Sequence, residues 1–337
     1  MLSQCYQIVN LMLRNCYRRY YYSSRKIFHF LINLGGILLL FTSTAKGITQ
    51  HYRLILNEKP ATSVSIGWEL IGGCPDTQRV YYDTIDHGQD TSAYAFQSRL
   101  TASFFHQGME NYFCQIEHLQ PDTRYYFVIA EDEGISPRMW FTTLSEEAHP
   151  WKAYWISPLV SQSIQKWSQF CQNTAQSSSD FVLVEGLSQL KTEEAWRHWL
   201  GSWQSSIAEN GRIIPLIIGG EITRDIQYLF NLTPEPATIY SLTQKSMLVV
   251  ARVQKMPKKR FWKRIAPDTF VVLHAPSPIK TIPDLVDLVL ADLNANPAPN
   301  VFLLPADVSF VEMIWQENHL QILSPQRTKL LDVFASP

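Results

Sequence analysis

Glu185, Glu221, His274 and Asp307 are the residues of this sequence best placed to hold a hard metal ion. Each follows an apolar run that reads as a strand: Phe181–Val184, Ile213–Ile218, Phe270–Leu273 and Val301–Leu304, in that order. Carboxylate oxygens and imidazole nitrogens donate lone pairs to such ions. If the four converge they describe a single-metal site; otherwise His274 is a satisfied core or rim histidine and the carboxylates are solvated. A second chemical feature is basic. Lys255, Lys258, Lys259, Arg260, Lys263 and Arg264 surround Phe261 and Trp262, a composition for an anionic lipid or phosphorylated ligand, or simply a solvated charge run. No GxSxG elbow, P-loop or GxGxxG occurs, and Ser205-Ser206 has no triad spacing around it.

Those residues have to be positioned by something, and 337 residues suggest two domains. The composition is 46% hydrophobic and 18% charged, with ten Trp, which suits real cores. Lys plus Arg is 29 against 30 for Asp plus Glu, so a dedicated nucleic-acid binder is not expected. The five Cys form no CxxC pair; Cys74 and Cys114 could pair, but a buried free thiol is the simpler reading.

Residues 1–46 read as a signal peptide or an amino-terminal membrane anchor. Arg14, Arg18, Arg19, Arg25 and Lys26 precede the apolar Ile27–Phe41, and Ser43 and Ala45 suit cleavage after Ala45. The apolar run is shorter than the roughly 20 residues of a spanning helix. Either way the bulk of the chain is expected to be exported, periplasmic, extracellular or anchored facing outward, with the membrane as a partner if the segment is uncut.

Residues 47–144 alternate in the manner of β-strands. His51–Asn57, Thr62–Leu70, Arg79–Asp83, Asn111–His118, Arg124–Ala130 and Met139–Thr143 are separated by turn signals, which predicts a two-sheet sandwich. Trp68 is placed to plug the gap between sheets. Residues 148–337 instead mix strands and helices: Lys152–Ile156, a helix over Val160–Gln172, Phe181–Val184, a helix over Thr192–Ala208 capped by Thr192 and closed at Gly211, then Ile213–Ile218. Met247–Val253, Phe270–Leu273, a helix over Asp284–Asn294, Val301–Leu304 and Leu320–Leu323 follow. The fold class expected is an all-β sandwich followed by an α/β domain of layered sheets.

Leu119-Gln-Pro-Asp-Thr-Arg-Tyr125 is similar to the corner before the sixth strand of fibronectin type III modules. Tyr52–Pro60 followed by Ser63–Trp68 resembles the opening of the amino-terminal domain of purple acid phosphatases. The order of the later elements is similar to the calcineurin-like metallophosphoesterase fold. That resemblance implies phosphomonoester or phosphodiester hydrolysis by two metal ions, iron, zinc or manganese, held by five motifs. Matched to them, Ser157-Pro158 lacks the first Asp. Gly186 stands, but Leu187 takes the place of the bridging Asp and Leu190 that of the Tyr. Gly219 stands, but Gly220 and Glu221 replace Asn and His. Val271-Val-Leu-His274 matches, and Pro305-Ala306-Asp307-Val308 has lost both His. Two close dications need a shared anion between them, and Leu supplies none. The expectation is a degenerate, exported, purple-acid-phosphatase-like protein without catalytic residues and without a bound cofactor, acting by binding or scaffolding. His274, Glu221 and Asp307 are its vestigial metal ligands, and Lys258, Lys259, Arg260, Lys263 and Arg264 a possible anion surface. The alternative is an active enzyme with a rebuilt site around His274.

Overall fold

The computed structural model describes residues 49–72, 77–132, 134–147, 149–156, 164–235, 237–243, 246–251, 270–274, 301–304, 310–316 and 319–323. The amino-terminal segment, Cys74, Ser157-Pro158, the basic cluster, the helix expected over Asp284–Asn294 and Asp307 lie outside them.

The sandwich is built from β1 (Thr49–Leu56), β2 (Val64–Leu70), β3 (Arg79–Asp83), β4 (Phe96–Arg99), β5 (Ala102–His106), β6 (Met109–Ile116), β7 (Arg124–Glu131), β8 (Gly134–Ile135) and β9 (Met139–Thr142). One sheet runs β1-β2-β6-β5; the other has β4-β3-β7-β8, with β9 also paired to β7. Between them lie Leu54, Ile66, Trp68, Phe127 and Phe141, all nearly inaccessible. Trp68 fills the gap as expected and donates its Nε1–H to Gln78 Oε1 at 2.9 Å, which satisfies its one polar atom. Tyr125 closes the corner: its hydroxyl accepts the Gln120 N–H at 2.9 Å. Cys114 is a free thiol inside this core, pushed up to about 11 by burial.

The remainder comprises β10 (Trp151–Ile156), α1 (Ile164–Ala175), β11 (Phe181–Val184), α2 (Glu193–Trp203), β12 (Leu216–Ile218), α3 (Arg224–Phe230), β13 (Ala237–Thr243), β14 (Ser246–Ala251), β15 (Phe270–His274), β16 (Val301–Leu304), β17 (Phe310–Gln316) and β18 (His319–Leu323). β10, β11 and β12 are parallel; β11 and β12 are buried on both faces, which is why they read as unbroken apolar runs, whereas Lys152 and Tyr154 leave one face of β10 half-buried. Ile156, Val184 and Ile218 face the helices. Ala153, Trp155, Leu183 and Ile217 face a second sheet, β13-β14-β15-β16. The helix layer is aromatic: Trp167, Trp199 and Trp203 stack, with Trp167 and Trp199 centroids 4.8 Å apart.

The two modules share one sheet. β12 pairs in parallel with β1 at Ile55 and Leu216, giving the order β18-β17-β10-β11-β12-β1-β2-β6-β5. The outer face of the sandwich sheet is therefore covered by α2. Gln204, just after α2, grips a bulge in β1: its Oε1 accepts the Tyr52 N–H at 3.0 Å and its Nε2 donates to the Tyr52 carbonyl. Thr192 caps α2 by accepting the Ala195 N–H. The helix is shorter than expected, ending at Trp203 in a short 3-10 turn, and Gly211 does not terminate it. Gly211 instead has φ 84° where the chain pairs with β9, and a Cβ there would lie 2.5 Å from the Arg138 carbonyl oxygen.

Glu69 and Arg197 hold this seam. Glu69, only 4% exposed, meets Arg197 Nη1 at 2.8 Å, Gln50 Nε2 at 2.8 Å and His51 Nδ1 at 2.7 Å. Arg197 also donates to the Gly108 carbonyl and to Glu193. Burial acts to raise the Glu69 carboxyl, but the bonds from His51, Gln50 and Arg197 outweigh it and hold the group below the usual range. A depressed folded-state value means stability that is present above the unfolded carboxylate value of about 4.3 and is lost as pH falls through the folded one. Urea midpoints of wild type should therefore fall on acidification, and those of Glu69→Gln should fall less steeply.

Candidate functional site

The loops after β10, β11 and β12 leave the sheet at one level, since Ile156 pairs with Val184 and Val184 with Ile218. Ligand sites of parallel sheets form beyond these carboxyl ends. Glu185 donates its N–H to the Ile156 carbonyl, and Gly219 donates to that of Val184, so both turns are tied to the neighbouring strand. Gly186 and Gly220 both sit in the left-handed region, at φ 71° and 75°. A Cβ on Gly220 would be 3.8 Å from Gly186 N and 3.9 Å from Glu185 Oε1, so the two turns lie side by side with the buried Glu185 carboxylate at their contact.

Leu187 follows at once and opens a 3-10 turn over Leu187–Gln189. It is 0% exposed and belongs to the aromatic core with Trp196, Trp199 and Leu229; Leu190 packs against the same core. The position where the resemblance asks for a bridging carboxylate is thus a core position, and hydrocarbon has no lone pair to offer an ion. Gly220, in the place of an Asn, has no side chain at all. A carboxylate-bridged metal pair does not fit these residues. Of the expected ligands, Glu221 is exposed in the turn after β12, while His274 ends β15 in the other sheet. Among the described residues no three of His, Cys, Asp and Glu cluster as a metal site would require.

Residues 49–143 match a family model described as the purple acid phosphatase N-terminal domain. The sandwich is a purple-acid-phosphatase-type amino-terminal domain. The match covers the sandwich, the part where sequence and structure agree most closely. Among solved structures, one described as the structure of PhoD is 10% identical, with 76% of this chain and 70% of that chain covered and a TM-score of 0.45. Another, of astrotactin-2, a vertebrate-specific perforin-like membrane protein, is 14% identical over 38% of this chain and 26% of that one, with a TM-score of 0.22. No curated protein matches the chain.

The chain also has a cavity of about 180 Å³ at the opposite, amino-terminal ends of β10–β12. Arg124, Trp140, His149, Asp180 and Arg212 line it. Burial raises the Asp180 carboxyl although it accepts the Lys152 N–H, and burial lowers the Arg212 guanidinium, which is bonded to the Ser177 and Ser179 carbonyls. The Arg124 guanidinium stacks 4.1 Å from the Trp140 ring. These residues are scattered through loops and strand starts, so no spacing in the sequence announces them.

Proposed function

We propose that this purple-acid-phosphatase-like chain is an exported protein that no longer carries out two-metal phosphoester hydrolysis and acts by binding or scaffolding. One observation carries the reading: Leu187, in the place of the bridging carboxylate, is 0% exposed within the core. In two-metal hydrolysis the ions polarise the phosphoryl oxygens and generate the nucleophile, so losing the shared anion removes both contributions. Export rests on the basic and then apolar residues 1–46 with their small-residue exit. The basic run at Lys258, Lys259, Arg260, Lys263 and Arg264 supports an anionic binding partner.

The test is elemental analysis of the purified chain for iron, zinc and manganese, beside hydrolysis of a generic phosphomonoester and a phosphodiester. Substoichiometric metal and no turnover are expected. Stoichiometric metal with phosphate release that disappears in His274→Ala would establish the rebuilt-site enzyme instead.

A further inference from the structure

Arg53 of β1 is 0% exposed, and its Nε, Nη1 and Nη2 have no hydrogen-bond partner among the described residues. It sits in a cross-strand row, paired with Gly67 of β2, which is paired with Phe113 of β6. Gly67 makes room for it: a Cβ there would lie 2.6 Å from the Phe113 ring and 3.2 Å from Arg53 Nε. The guanidinium consequently lies over the Phe113 ring, 5.4 Å from its centre, and the ring faces its π-surface while leaving its N–H edges unmet. Burial pulls the group down to about 9, with the Glu69 charge opposing.

The neighbouring row makes no hydrogen bond to Arg53. It joins Gln50, Glu69 and Asn111. Glu69 Oε1 is occupied by Arg197, and Oε2 by Gln50 and His51. Asn111 donates to the Met109 carbonyl, and its Oδ1 is an unpartnered acceptor. The layer of α2 above the sheet adds further donors, the unpartnered indole N–H groups of Trp196, Trp199 and Trp203, which share a core with Phe113. A buried, unmade hydrogen bond to a charged group is among the costlier defects a fold can carry.

We propose that this seam binds a small buried anion of the halide class, held by Arg53. The imbalance of groups decides between an anion and water. Water brings two donors with its lone pairs, and the layer is already rich in donors, with Asn111 Oδ1 as its one unpartnered side-chain acceptor among the described residues. A monatomic anion brings acceptor capacity alone and neutralises the guanidinium. Complete enclosure of Arg53 restricts the ligand to that size. The anion then fastens the sandwich sheet to α2 at the point where the two modules share their sheet.

Bromide is the probe. The full chain, folded in bromide or in gluconate at equal ionic strength, is compared by thermal unfolding, and crystals grown in bromide are examined by anomalous diffraction. Bromide should raise Tm by about 2–4 °C at roughly ten times its dissociation constant. Arg53→Met, an apolar replacement of similar length, should abolish that difference, and a bromide peak should lie at hydrogen-bond distance from Arg53. An equal bromide effect in Arg53→Met, or bromide only at the surface of wild-type crystals, would overturn the proposal. If the variant does not fold, the wild-type diffraction decides alone.

Discussion

Leu187→Asp is expected to cost about 4 kcal/mol or more of stability and to yield no phosphate release. The removed side chain is fully enclosed by the aromatic layer, and truncating such a Leu to Ala alone costs about 2–5 kcal/mol. Aspartate adds a carboxyl in a site that offers hydrocarbon around it, a further penalty of about 1–3 kcal/mol even when the group stays neutral. Burial would raise the new carboxyl, so the variant should lose still more as pH rises through the carboxylate range. Denaturant melts at two pH values check the direction. A well-folded Leu187→Asp protein that gains metal would show that the turn is still a ligand loop rather than part of the core.

Trp199→Ala should cost about 3–5 kcal/mol, a large share of the roughly 5–15 kcal/mol by which folded proteins are stable. Trp199 is the hub of the helix layer. It stacks on Trp167 at 4.8 Å and on Trp203 at 6.2 Å, and meets Trp196 and Phe230 edge-on. Its carbonyl accepts the Trp167 indole N–H at 3.1 Å. The same change at Trp140, half-buried under Arg124, removes far less packing and serves as the control. Near-UV circular dichroism should lose the coupled indole bands in Trp199→Ala and keep them in Trp140→Ala. Equal losses in both would mean that the stack does not carry the helix layer.

The sandwich was legible in sequence because its central strands are short runs rich in β-branched and aromatic residues between turn signals, and because Trp68 and Tyr125 each have a distinct task. β4 and β5 were not legible. Both are short edge strands with little burial, and Phe105 of β5 is 74% exposed, so no alternation marks them. The shared sheet was hidden for another reason: β1 and β12 join by backbone pairing around Ile55 and Leu216, which leaves no trace in side-chain pattern. Arg53 was hidden by the same event. On a free sandwich its face would be wet; here α2 covers it, and every residue of β1 except Gln50 is buried.

At the candidate site the turns singled out in the sequence lie side by side in the fold. Gly186, Leu187, Gly219 and Gly220 stand at the carboxyl ends of adjacent parallel strands. What spacing could not convey is which way position 187 is used. A Leu at the rim of a cleft and a Leu at the centre of a core read identically in a sequence, and only the packing against Trp196 and Trp199 distinguishes them.

Crystals of the full chain grown in excess manganese, examined at the manganese absorption edge, test the central claim most directly. The account predicts no paired anomalous peaks beside Gly186 and Gly220. Two manganese peaks about 3.5–4 Å apart at that position would contradict it and restore the hydrolytic reading.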